Sequence, residues 1–171
     1  MRSRQPFRLL LILALSLASL LPCAQAQGVS EYDLKAMLFY RLAQFVYWPS
    51  GGAVSGTPVL CIAGSHPFAG SLEQLAGTGG AGVRPVTRDL EGCNLLFVAA
   101  SEAAGLDRWL QRASEYPVVT VSDLPGFARR GGMVELALED ERVVMVVNRT
   151  ATRGQGLDFN VQLLRLARVL E

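Results

Sequence analysis

Apolar positions change period several times along this chain, and each change marks an element. From residue 31 to 48, Leu34, Met37, Leu38, Leu42, Phe45 and Val46 recur at three- and four-residue spacing. That spacing predicts a helix with one core-facing stripe. Ser30 is placed to cap it, with Asp33 three residues on, and Pro49 with Gly51-Gly52 to stop it. Short apolar runs at 58–63, 94–99 and 118–121 predict buried strands. Residues 83–87 predict a weaker strand at an edge, because Pro85 has no N–H for a ladder. Between them, 68–75 and 106–113 predict helices, 77–82 a flexible glycine loop, and 127–130 one helical turn. Residues 133–138 and 142–147, joined by Glu139-Asp140-Glu141, predict a hairpin. Residues 157–170 predict a closing helix with Leu163, Leu164, Leu166, Ala167 and Leu170 on its apolar face. The expected fold is α/β: a mainly parallel sheet, helices on both faces, and a C-terminal antiparallel hairpin at one edge.

The start of the chain has a different character. Arg2, Arg4 and Arg8 precede a thirteen-residue apolar stretch from Leu9 to Leu21, broken only by Ser16 and Ser19, and Ala24-Gln25-Ala26 follows. A basic segment, an apolar segment and a small-x-small site make a secretory signal peptide, cut after Ala26. Thirteen residues fall short of the roughly 20 needed to span a bilayer. Pro22 stands where a lipid-bearing Cys23 would follow a small residue. Residues 1–26 therefore read as a cleaved signal and 27–171 as one domain, with no membrane insertion after cleavage. The whole chain carries a net charge of +1, and loss of the three leader arginines leaves −2, so no nucleic-acid partner is expected. Export also bears on Cys61 and Cys93. Two cysteines in an oxidising compartment usually pair; two buried free thiols are the alternative.

Catalytic chemistry is sparse. His66, the only histidine, follows the first buried strand at its carboxyl end, where open α/β sheets place ligands. Ser65-His66-Pro67 is equally an ordinary way to begin a helix. Asp123 ends another strand on the same side, as a ligand group or as a turn residue. His66 and Asp123 are thus the candidate small-ligand residues. No Cys/His/carboxylate cluster has metal-ligand spacing, so neither metal nor cofactor is expected. A Gly-x-Ser-x-Gly elbow is missing. Gly77-Thr78-Gly79-Gly80-Ala81-Gly82 matches a dinucleotide fingerprint by letter, but a helix precedes it and a strand follows, the wrong context for that motif. Arg129-Arg130 reads as a solvated turn. The inventory favours binding over catalysis, and no enzyme is expected.

Five groups of residues, in order, carry a resemblance. They are Tyr32-x-x-Lys35-Ala36 leading to Phe45-Val46-x-Trp48-Pro49; Leu60-Cys61-Ile62-x-Gly64; Gly92-Cys93-Asn94-x-x-Phe97-Val98; Thr120-Val121-Ser122-Asp123 with Phe127 and Gly131-Gly132-Met133; and Asn148 with Leu163-Leu164-x-Leu166-Ala167. Together they resemble the YfiR/HmsC-like family of bacterial periplasmic proteins. The resemblance implies a compact α/β fold, a Cys61–Cys93 disulfide, and a regulatory role. A family member holds down a membrane-bound diguanylate cyclase through that enzyme's periplasmic sensor domain, lowering cyclic-di-GMP and biofilm formation. A second cysteine pair of that member, around positions matching 127–135, is missing here. The resemblance places partner-contacting positions at Val134, Val146 and Thr152. Alternation along the hairpin puts Val134, Leu136 and Leu138 on one face, and Val144 with Val146 on one face. Val134 and Val146 are expected to lie partly exposed beside one another; helices covering both faces are the alternative. A periplasmic small-molecule sensor, with its ligand near Gly64-Ser65-His66 and Asp123, is the rival reading, and an enzyme the third. A homodimer stays open.

Overall fold

Short apolar runs, buried on both faces, build a central sheet in the computed structural model, which describes residues 30–48, 56–68 and 70–171. The signal peptide, Cys23 and the stop at Pro49, Gly51 and Gly52 lie outside the described residues. The strands are β2 (Val59–Ala63), β3 (Gly82–Val86), β4 (Leu95–Val98), β5 (Val119–Ser122), β6 (Val134–Glu139), β7 (Arg142–Asn148) and β9 (Arg168–Leu170), in the order β3-β2-β4-β5-β6-β7-β9. Neighbours from β3 through β6 pair in parallel, β6 and β7 antiparallel, and β7 and β9 in parallel. β1 (Val46–Tyr47) and β8 (Asp158–Phe159) form a separate antiparallel pair.

Alternation sorts the strand residues between two cores. Leu60, Ile62, Leu95, Phe97, Val119 and Val121 face α1 (Glu31–Leu42) and α2 (Ser71–Gly79). Cys61, Ala63, Leu96 and Val98 face α3 (Leu106–Ala113) with Trp109 and Phe127. Helices thus cover both faces, as the alternation of elements predicts. Phe39, Phe68 and Phe97 form an aromatic cluster under α1; Phe97 lies 5.6 Å from Phe39 and 4.7 Å from Phe68, edge to face. Each buried phenylalanine contributes about 1.5–3 kcal/mol by area.

Several expectations need correction. The first helix stops at Leu42, and a 3-10 turn (Ala43–Phe45) leads into β1. Val46 pairs with Phe159, and the Asn160 amide donates to the Phe45 carbonyl, so a tertiary strand pairing outcompetes continued helix. Its fully buried stripe is Ala36, Phe39 and Leu42, while Leu34, Met37, Leu38 and Phe45 are half-buried. Glycines 77 and 79 end α2 instead of forming a loop, with Gly80 as the left-handed cap. The closing segment is not one helix. Asn160 caps a six-residue α5 (Val161–Leu166), and the chain then turns into β9 beside β7. The hairpin therefore sits one strand in from the edge.

Candidate functional site

The single lysine decides one end of the sheet. Lys35 sits one turn before Phe39 on the buried stripe of α1, which carries its ammonium inward. It pairs with Glu31 at 2.5 Å and with Asp123 at 3.3 Å. The Tyr32 ring lies 5.2 Å from its Nζ. Burial alone would lower the lysine pKa; hydrogen bonds to Glu31 and Asp123 outweigh it and hold the group above its ordinary value. Asp123, read from the sequence as a ligand group or a turn residue, is held in an ion pair that ties α1 to the end of β5. Sequence reasoning missed this partner. Its signal was the spacing of Lys35 with Phe39 and Leu42, which puts a charge on an apolar face.

His66 lies elsewhere on that rim. Its Nε2 is 3.4 Å from Glu73 Oε1, and its Nδ1 accepts from the Phe68 amide. Its partners are thus on the loop and first turn of α2, and it shares none with Asp123. Just before His66, β2 gives way to Gly64, with φ +83°. A Cβ there would strike Ser101 Oγ and the Glu102 side chain, so glycine is required. Ser101 Oγ accepts from the Ser65 amide and Glu102 from Trp109 Nε1. The polar groups of this rim are used to hold loops together. Among the described residues, no group of three or more carboxylate, histidine or cysteine side chains is placed to hold a metal ion.

Cys61 and Cys93 are bonded, with Cα atoms 5.8 Å apart. The bridge ties β2 to the loop before β4. The Arg84 guanidinium lies against it, 3.3 Å from Cys93 Sγ, and donates to the Glu91 carbonyl at 2.8 Å.

The hairpin places the remaining candidates. A two-residue turn, Asp140-Glu141, has both residues at positive φ, which fixes the register. Val134 opposes Val147, and Val146 opposes Glu135. Directly paired residues share a face, and neighbours along a strand alternate. Val134 therefore faces α1 and Val146 faces the α3 side, which corrects the expectation that they lie beside one another. Both are buried, Val134 at 0% exposure and Val146 at 7%. Thr152 is also buried, in α4 (Arg149–Gly154), where its hydroxyl donates to the Asn148 carbonyl at 2.8 Å.

On the Val146 face a hollow of about 200 Å³ opens, lined by Val146 and Leu170 together with Arg129, Glu135, Glu139 and Arg168. Glu135, itself buried, accepts from the Gly126 and Ala128 amides at 2.9 and 3.0 Å. That fixes the Phe127 turn to β6. Arg168 grips Glu139 with two bonds of 2.8 and 2.7 Å, holding that carboxyl below its ordinary range. At the far end of α4, burial would raise the Asp158 pKa, but bonds from Arg149, the Phe159 amide and Arg153 hold it below its ordinary value.

Comparison with known proteins gives the fold and the family. The backbone resembles a conserved domain protein from Vibrio cholerae O1 biovar eltor, with a TM-score of 0.63 and 11% identity, covering 82% of this chain and 60% of that one. It also resembles the ABC domain in complex with L-Trp from Streptococcus pneumonia, with a TM-score of 0.61, 10% identity and the same coverages. The chain thus spans about 60% of the length of these solved structures. No curated protein matches it. The family model described as YfiR/HmsC-like matches residues 32–168, nearly the whole described chain. On that match, the chain belongs to the YfiR/HmsC-like family.

Proposed function

We propose that this protein is exported through a cleaved signal peptide, starts at Gln27 when mature, and represses an inner-membrane diguanylate cyclase by binding that enzyme's periplasmic sensor domain. Family membership over residues 32–168 carries the reading. Binding, not turnover, is its activity. The Val146 hollow supports this as the contact surface. A mostly polar hollow with Val146 and Leu170 among its lining residues can receive a partner's side chain while Arg129, Glu139 and Arg168 meet its polar groups. Val134 and Thr152 act from beneath, by shaping the hairpin and the start of α4.

The test is made in cells that carry the protein beside a membrane cyclase. Deleting the gene raises cyclic-di-GMP, and restoring the wild type lowers it again. Val146→Arg fills the hollow and fails to restore repression, while Arg129→Glu, on an exposed rim residue, weakens it with the fold intact by circular dichroism. An unchanged cyclic-di-GMP level on deletion rejects the regulatory reading. Full repression by both variants rejects the surface. Mass spectrometry of periplasmic protein finds Gln27 first, and an acylated Cys23 overturns the soluble mature form.

A further inference from the structure

On the α1 side of the same hairpin, a groove of about 390 Å³ opens between α1, β7 and α5. Its walls include Leu38, Leu42, Phe45, Val143, Met145 and Leu163. Leu166 stands on its rim, 88% exposed. The volume is within the roughly 300–1,000 Å³ of small-ligand sites, and such sites are mostly apolar with few placed polar groups. Here the placed group is Arg41, on the last turn of α1. Among the described residues, no acidic side chain lines the groove. Arg41 is exposed at the groove's mouth and, like several other surface arginines, makes no ion pair with a described residue; it is the one charged side chain among the described residues that line the groove.

The lining therefore selects by chemistry. A neutral hydrocarbon would leave the guanidinium unused. A zwitterionic amino acid would bring an ammonium with no carboxylate to meet it. A sugar would bury hydroxyls against leucine and phenylalanine, which offer no hydrogen bonds. One apolar tail with one negative end fits every lining residue. We propose that this groove binds a single-chain fatty carboxylate, its tail along Phe45, Met145 and Leu163 and its carboxylate on Arg41. This is a site on the face opposite the Val146 hollow and stands or falls apart from the partner reading.

Calorimetric titration of periplasmic protein with decanoate, kept below its micelle concentration, tests it. Decanoate binds with one site per chain, decanol binds about tenfold more weakly, and leucine does not bind. Arg41→Gln costs decanoate about tenfold, as loss of one charge-assisted hydrogen bond predicts, and leaves decanol unchanged. Leu166→Glu, at a position too exposed to disturb folding, puts a negative charge on the rim and weakens decanoate further. No binding of decanoate overturns the proposal, as does equal binding by wild type and Arg41→Gln. Uptake only from anionic vesicles assigns the groove to a membrane surface and overturns it. A dimer that Leu166→Glu dissociates, with no decanoate bound, assigns the groove to a second copy and also overturns it.

Discussion

At the scale of single residues, the Lys35–Asp123 pair carries the most testable energetics. Removing one partner of a buried pair leaves the other charge poorly compensated, and that costs more than the pair contributes. Asp123→Ala should therefore lower stability by about 1–3 kcal/mol in urea unfolding, because Glu31 still holds one side of the ammonium. Adding Lys35→Met to that variant should recover most of the loss; a further loss instead would show that the ammonium has some other partner. The raised lysine pKa fixes the sign with pH. Its contribution is complete below the ordinary value of 10.5 and fades as pH rises through the higher folded value. Asp158 works at the other end. Its folded pKa is lowered, so its contribution is present above the ordinary 3.8 and fades as pH falls through the folded value. Asp158→Asn should flatten the acid limb of the stability curve below pH 3.8 and leave the alkaline limb alone, measured by thermal melts across pH. Of these two sites only Asp123 was legible in the sequence. Its position at a strand end is local information, but its partner lies 88 residues away and could be found only by asking why a lysine stands on an apolar helical stripe.

At the scale of elements, runs that pack against the sheet were readable and runs that make late tertiary pairings were not. Leu106–Ala113 is the helix its spacing predicts, and the buried runs at β2, β4 and β5 shift by a residue or so at their ends. The periodic stretch after Leu42 failed because β1 needs β8, and periodicity cannot register a partner such as Phe159, 113 residues on from Val46. The same cause split the closing segment, where residues spaced like a helix serve both α5 and β9. The faces of Val134 and Val146 were misjudged because the two-residue turn sets the hairpin register, and one residue of register exchanges every face. The Cys61–Cys93 bridge was legible from compartment chemistry. Reducing it should lower unfolding free energy by about 3–4 kcal/mol on the chain-entropy estimate for a ring of this length. Denaturant titration with and without reductant checks this, and equal midpoints would show that the bridge leaves the unfolded chain unconstrained.

At the scale of the whole molecule, the uneven lengths at the end of the sheet have a consequence for solubility. β9 pairs with Val146, Val147 and Asn148 only, so residues 142–145 of β7, paired with β6 on one side, have no described strand on the other. A half-open edge carrying Val143, Val144 and Met145 is a template on which another chain could add and grow into aggregate. Charge stands guard where pairing is missing: Asp140, Glu141 and Arg142 are all exposed at the hairpin tip, directly ahead of the apolar run. Such flanking charges act as gatekeepers against intermolecular strand addition. Arg142→Ile should leave the melting temperature nearly unchanged while light scattering on heating rises earlier and further than in wild type. Identical scattering would mean that α5 already screens the edge. Evolution of the turn is then constrained by colloidal stability as well as by shape, since an apolar tip would preserve the hairpin and still cost the cell its soluble protein.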